Sequence, residues 1–123
     1  MRTVLIGSRK YTSVICLDEP GAGGACHQYE VVKVPSNGPE MEERKIFSKV
    51  SFQNGPIKEN GVNGCHQEDL IAIVIDRLQH FQKGEYSCRE NAVALTKLEE
   101  ALMWLRKRTQ DREDRGVEGT SQK

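Results

Sequence analysis

The stretch Arg89-Glu90-Asn91-Ala92-Val93-Ala94-Leu95-Thr96-Lys97-Leu98-Glu99-Glu100-Ala101-Leu102 decides the fold of this chain. Leu95, Leu98, Leu102 and the following Leu105 recur at steps of three, four and three, which is a heptad-like apolar seam. The spacing predicts a long helix starting near Arg89. Upstream, from Gln67 onward, Leu70, Val74, Leu78 and Phe81 also recur at helical spacing, and Lys83-Gly84-Glu85 interrupts the pattern. Two amphipathic helices joined by a short break form an antiparallel hairpin. Beyond it, the tail from Gly116 to Lys123 contains two glycines and no periodicity, so nothing in its pattern compels order.

Toward the N-terminus the period changes. Val4-Leu5-Ile6, Ser13-Val14-Ile15-Cys16-Leu17, Tyr29-Glu30-Val31-Val32-Lys33-Val34 and Lys45-Ile46-Phe47-Ser48-Lys49-Val50-Ser51-Phe52 are short, β-branched or alternating runs. Turn formers separate them: Asp18-Glu19-Pro20-Gly21, Pro35-Ser36-Asn37-Gly38-Pro39 and Asn54-Gly55-Pro56. These are strand signals for a small antiparallel sheet. Gln53 to Gly64, rich in Gly and Asn, reads as an ordered loop. The expectation is one α+β domain: a β-rich part and loop over residues 1–64, a helical hairpin over 65–115 and a tail over 116–123.

The chain's 123 residues suit one modest core. With 37% hydrophobic and 29% charged residues, the surface is wet, and oligomerisation is one way to complete such a core. Eighteen basic residues balance eighteen acidic ones, so the basic excess of a duplex nucleic-acid binder is lacking. Any anion site must be local. No run approaches the roughly 18 apolar residues of a membrane span, and the N-terminal run is too short for a signal peptide. These features predict a cytoplasmic protein. Cys16, Cys26, Cys65 and Cys88 contain no Cys-x-x-Cys pair and read as free thiols.

Chemistry concentrates beyond Leu105, where the same stripe meets Arg108, Thr109, Arg112 and Arg115. Arg108 and Arg112 are four apart and repel mildly unless an anion lies between them. Guanidinium forks match phosphate oxygens, so the pair suits a pyrophosphate. The competing reading is a solvated face, with Lys107–Asp111 and Asp111–Arg115 pairing in water. Phe81 and Asn91 bracket the helical turn. An aromatic ring there can stack on a purine, and an amide can read a base edge or a ribose hydroxyl. Alternatively Phe81 is half core and Asn91 an N-cap.

Other patterns carry less. Gly21-Ala22-Gly23-Gly24 lacks the following Lys-Ser or Lys-Thr of a phosphate loop and reads as a flexible hairpin. Cys26-His27 and Cys65-His66 offer four zinc-type ligands, but adjacent strand residues point to opposite faces, so no metal site is expected. His27, His66 and His80 lie in different contexts with no nucleophile beside them. Asp18-Glu19 and Glu42-Glu43 sit in turns or polar loops, and no catalytic spacing is present.

Several segments together resemble the Thoeris anti-defence sponges of phages, of the first-described type. They are Phe52-Gln53-Asn54-Gly55-Pro56, Asp69-Leu70 through Arg77-Leu78 to Phe81-Gln82, the Arg89–Leu102 stretch, Arg108-Thr109 and Arg115-Gly116-Val117-Glu118-Gly119-Thr120. The C-terminal half is also similar to the helical-hairpin sponges that counter CBASS immunity. The resemblance implies a homo-oligomer, a hexamer, acting in the host cytoplasm. It implies capture of glycocyclic ADP-ribose, and also of cyclic di- and trinucleotides, without cleavage and without a cofactor. It puts the ligand on Phe81, Asn91, Arg108 and Arg112 in a pocket between subunits. A second nucleotide site is expected at Arg115, Gly116, Gly119 and Thr120, where three copies around an axis match a cyclic trinucleotide. The alternative function is a phosphodiesterase that degrades the same signals.

Overall fold

The structure is a computed structural model that describes residues 1–7, 9–35 and 45–123. Residues 36–39 of the expected proline-rich turn and the Glu42-Glu43 pair lie outside the described residues. Two compact units follow one another, Met1–Cys65 and His66–Lys123.

The first unit is a four-stranded antiparallel meander in the order β1 (Arg2–Val4), β2 (Thr12–Cys16), β3 (Gln28–Lys33), β4 (Ile46–Ser51). Its register sets Arg2 opposite Cys16, Cys16 opposite Tyr29 and Tyr29 opposite Val50. Directly opposite residues share a face, so these four line up across the sheet. An irregularity between Val31 and Val32 shifts the β3–β4 pairing by one residue. Cys16 is wholly buried, and Val32, His27 and Glu30 are buried as well. Tyr29 packs edge-on against Phe52, ring centroids 5.8 Å apart.

The sheet corrects one expectation. β1 ends at Val4, and Leu5 and Ile6 are exposed outside it. A strand of the meander's edge has only one neighbour, and the pairing with β2 stops at Val4↔Val14. The glycine-rich stretch is a single 3-10 turn over Ala22–Gly24, closed by Gly24 N–H to Gly21 O at 2.9 Å.

Side-chain amides brace the Gln53–Gly64 loop. Gln53 Nε2 donates to Gly55 and Gly61 carbonyls, while Asn63 donates to and accepts from the Asn54 backbone. It also holds a one-turn helix, α1 (Ile57–Asn60), too short for any periodicity to announce. The chain then returns beside Phe52 in a parallel bridge to Cys65. Only glycine fits before that bridge: a Cβ on Gly64 would lie 2.5 Å from the Phe52 carbonyl carbon.

The second unit is the hairpin of α2 (Gln67–Gln82) and α3 (Arg89–Asp114). His66 caps α2 in a reciprocal box with Asp69, whose carboxylate accepts the His66 N–H at 2.8 Å. Gln82 fixes the connection by donating to Cys88 O and accepting from Cys88 N–H. The inward positions of α2 are Ile71, Ile75, Leu78 and Gln82, flanked by Leu70 and Phe81. Val74, expected on that face, is 43% exposed. A half-turn of freedom in reading a 3.6-residue period from apolar residues on both sides explains the difference. No residue of either helix is fully buried. Ile73, Val93, Met103 and Trp104 are exposed as well.

Candidate functional site

The half-buried stripe of α3 runs Asn91, Leu95, Leu98, Leu102, Leu105, Thr109, Arg112, at alternating steps of four and three. The seam therefore enters its polar end through Thr109 and Arg112. Arg108 and Arg115 stand on the exposed flank. The sequence stripe of Arg108, Thr109, Arg112 and Arg115 is thus divided between two faces, because neighbours in sequence are turned about 100° apart on a helix. Thr109 Oγ1 donates to Leu105 O at 3.3 Å and is occupied within the helix.

Arg112 organises the tail. Its Nε donates to Glu118 Oε2 at 3.3 Å, Nη1 to Gln122 O at 2.7 Å, and Nη2 to Val117 O and Thr120 O at 3.0 and 3.1 Å. Gly116, at φ +72°, makes the left-handed turn that starts this wrap. The Thr120 hydroxyl donates to Val117 O. Val117, Glu118, Gly119 and Thr120 are half-buried around the guanidinium. The segment whose pattern compelled no order is thus folded into turns.

Trp104, Arg108, Asp111, Arg112 and Arg115 line an open concavity of about 880 Å³ on this end of the helix. Lys107 and Asp111 form the ion pair expected of a solvated face, at 3.1 Å. The second expected pair does not form, since Arg115 Nη1 donates to Lys123 O at 2.8 Å. Arg108 makes no hydrogen bond or ion pair with any described residue. Of these two arginines it is the one with its donors free, whereas Arg112 has four of its five committed.

Phe81 and Asn91 sit at the opposite, turn end of the hairpin. Phe81 is half-buried and carries the Arg77 guanidinium 5.0 Å from its ring centroid. Asn91 is not the N-cap the sequence suggested. That position is Cys88, whose Sγ accepts the Asn91 N–H at 3.5 Å. The Asn91 carboxamide is left without a hydrogen bond to any described residue. Arg108 lies 17 residues further along α3, about 25 Å at the helical rise. One hairpin does not bring the four residues together.

The cysteine–histidine pairs are also rearranged. Cys65 ends the sheet unit at the Phe52 bridge, His66 caps α2, and His80 Nδ1 meets Asp76 O at 2.8 Å. Cys26 instead joins Cys16 and Asp18. The Asp18 carboxylate accepts N–H bonds from His27 and Gln28 at 3.0 to 3.2 Å. Burial alone would push its carboxyl up, but those backbone donors and the His27 ring hold it below the ordinary value. The hydrogen bond with Cys16, then burial, pushes the Cys26 thiol up, against the Arg2 guanidinium. Sequence reasoning missed this grouping because Cys16 meets Cys26 only through the strand register. The available signal was Cys16-x-Asp18 at the end of an apolar run.

Residues 44–110, which hold β4, α1, α2 and most of α3, match the family model described as Acb2/Tad1, hairpin domain. The chain is also similar to Thoeris anti-defense 1 of Bacillus phage SBSphiJ7. The two are 68% identical over 77 residues, a stretch that covers 63% of this chain and 54% of that protein. The match thus spans about half the length of this relative.

Proposed function

The chain belongs to the Acb2/Tad1 hairpin-domain family, and from that premise we propose that it is a sponge for cyclic nucleotide immune signals. It captures glycocyclic ADP-ribose, and also cyclic di- and trinucleotides, and holds them intact in the host cytoplasm, so that an anti-phage defence is never triggered. The name of the phage relative, an anti-defence protein of the Thoeris type, supports this role.

The observation that carries the reading is the separation of two incomplete half-sites on one hairpin. At one end are an aromatic ring and an unpaired carboxamide, Phe81 and Asn91. About 25 Å along the helix is an arginine with no partner, Arg108, beside Arg112. A ligand of nucleotide size reaches only one of these. A second copy running the other way supplies the missing half, so this reading puts the pocket between subunits of a homo-oligomer; that the homo-oligomer is a hexamer is what the resemblance to the phage sponges implies. The exposed Ile73, Val93 and Met103 on helices with no fully buried residue favour such an assembly.

In that pocket Phe81 stacks on the purine and Asn91 reads a base edge or ribose hydroxyl. Arg108 takes the pyrophosphate through its open fork, and Arg112 contributes its remaining N–H. None of these groups is a general base or a nucleophile, which favours retention over cleavage. The second site uses Arg115, Gly116, Gly119 and Thr120. The tail fold around Arg112 brings these into one ordered turn system, and three copies around an axis match the three phosphates of a cyclic trinucleotide.

The test incubates the protein with glycocyclic ADP-ribose, isolates the complex by gel filtration, releases the ligand by heat and chromatographs it. Unchanged ligand is expected. Linear ADP-ribose or AMP would establish the phosphodiesterase instead, and no co-elution would remove the nucleotide reading.

A further inference from the structure

The junction between the end of β2 and the start of β3 gathers three ligand-type side chains, with a fourth at their edge, that nucleotide capture leaves unused. Cys16 Sγ, Cys26 Sγ and an Asp18 carboxylate oxygen lie within 4.8 Å of one another. His27 Nδ1 stands 3.9 Å from Asp18 Oδ2. Cys16 is wholly buried and His27 is 6% exposed. Gly21 leaves room beside it: a Cβ there would sit 3.7 Å from Nδ1. Cys26 and His27 precede β3 and so escape the alternation of a regular strand, and the His27 ring stands beside Asp18 at the edge of the three-atom cluster.

We propose that Cys16, Asp18, Cys26 and His27 form a structural zinc site that ties the β2–β3 connection. Two thiolates, a carboxylate and a neutral imidazole are a zinc donor set, and four protein ligands leave no open coordination position for catalysis. Zinc binding takes a proton from each thiol and releases it to water. The three anionic ligands then exceed the metal's charge by one. Arg2, whose Nη2 lies 3.9 Å from Cys26 Sγ, supplies the balancing positive charge, and the Arg2↔Cys16 pairing of the sheet puts it there. Zinc–sulfur bonds near 2.3 Å and zinc–oxygen or –nitrogen bonds near 2.1 Å set tetrahedral ligand atoms roughly 3.4–3.8 Å apart. The three clustered atoms, within 4.8 Å of one another, therefore close by up to about 1.4 Å on binding, and a turn of the His27 ring toward the thiols completes the set. The backbone N–H groups on Asp18 hold its carboxylate in place meanwhile.

The experiment uses the full chain carrying a histidine-free tag and grown with zinc. Metal content by inductively coupled plasma mass spectrometry should give one zinc per chain. After chelation, Co²⁺ titration should produce the thiolate-to-cobalt charge-transfer band of a tetrahedral sulfur site. Cys26→Ser should weaken zinc binding by more than about 100-fold, beyond the effect of losing an outer hydrogen-bond partner. Cys88→Ser, at the exposed cap of α3, should bind zinc like the parent. The parent protein's spectrum decides the matter even where a variant fails to fold. No zinc and no charge-transfer band would overturn the proposal. So would a Cys16–Cys26 disulfide, seen as an intact mass two hydrogens short and located by peptide mapping without reduction.

Discussion

Replacing Arg112 by alanine should release the C-terminal tail before it affects anything else. The guanidinium is 11% exposed and donates to Glu118 and to three carbonyls, those of Val117, Thr120 and Gln122. One charged hydrogen bond contributes about 1.5–3 kcal/mol, and breaking a buried ion pair costs about 3–5 kcal/mol. Glu118 is partly exposed, and the carbonyls regain water once the tail opens, so these values do not add. We expect about 2–3 kcal/mol on the local opening of residues 117–122, because one charged bond is lost in full and the others in part. At 1.4 kcal/mol per tenfold, that is about 30- to 150-fold faster hydrogen exchange. The reporting amides are Val117, bonded to Arg112 O, and Thr120, bonded to Val117 O. Amides in the middle of α3 should keep their rates, since tail opening leaves the leucine seam packed. Arg112→Lys should recover less than half the protection, as an ammonium lacks the fork. Unchanged exchange at Val117 and Thr120 in the alanine variant would refute the argument that this side chain orders the tail.

Arg108→Ala should leave thermal stability and tail exchange unchanged, since the side chain has no partner among the described residues, yet weaken glycocyclic ADP-ribose binding about 10- to 150-fold by titration calorimetry. Phe81→Ala should weaken the same binding by lost stacking of about 1–3 kcal/mol and also lower the melting temperature, because the ring is half-buried against the hairpin. A chain ending at Arg115, checked for unchanged oligomeric state, should lose cyclic trinucleotide binding; retention of both ligand classes would remove the tail from recognition. Asp18→Asn should destabilise the sheet unit, read as a lower denaturant midpoint, because the Gln28 and His27 N–H groups lose a charged acceptor.

The hairpin was legible in the sequence because its information is local. The steps of Leu95, Leu98, Leu102 and Leu105, and the break at Lys83-Gly84-Glu85, are properties of neighbouring residues, and backbone geometry turns them into helices and a turn. The strands were legible for the same reason, to within a residue or two at most ends. The direction of each polar side chain was not. Whether Arg108 or Arg112 kept free donors depended on how the tail returned after Gly116, and no periodicity encodes a turn held by one guanidinium. Asn91 lost its expected capping role when Cys88, three residues earlier, took it. The grouping of Cys16, Asp18, Cys26 and His27 depended on the strand register, which sets Cys16 opposite Tyr29 and turns the connection back on itself. Spacing along a chain fixes contacts a few residues apart; contacts across a sheet exist only once the strands have paired, and a slip of one residue would send those side chains to opposite faces.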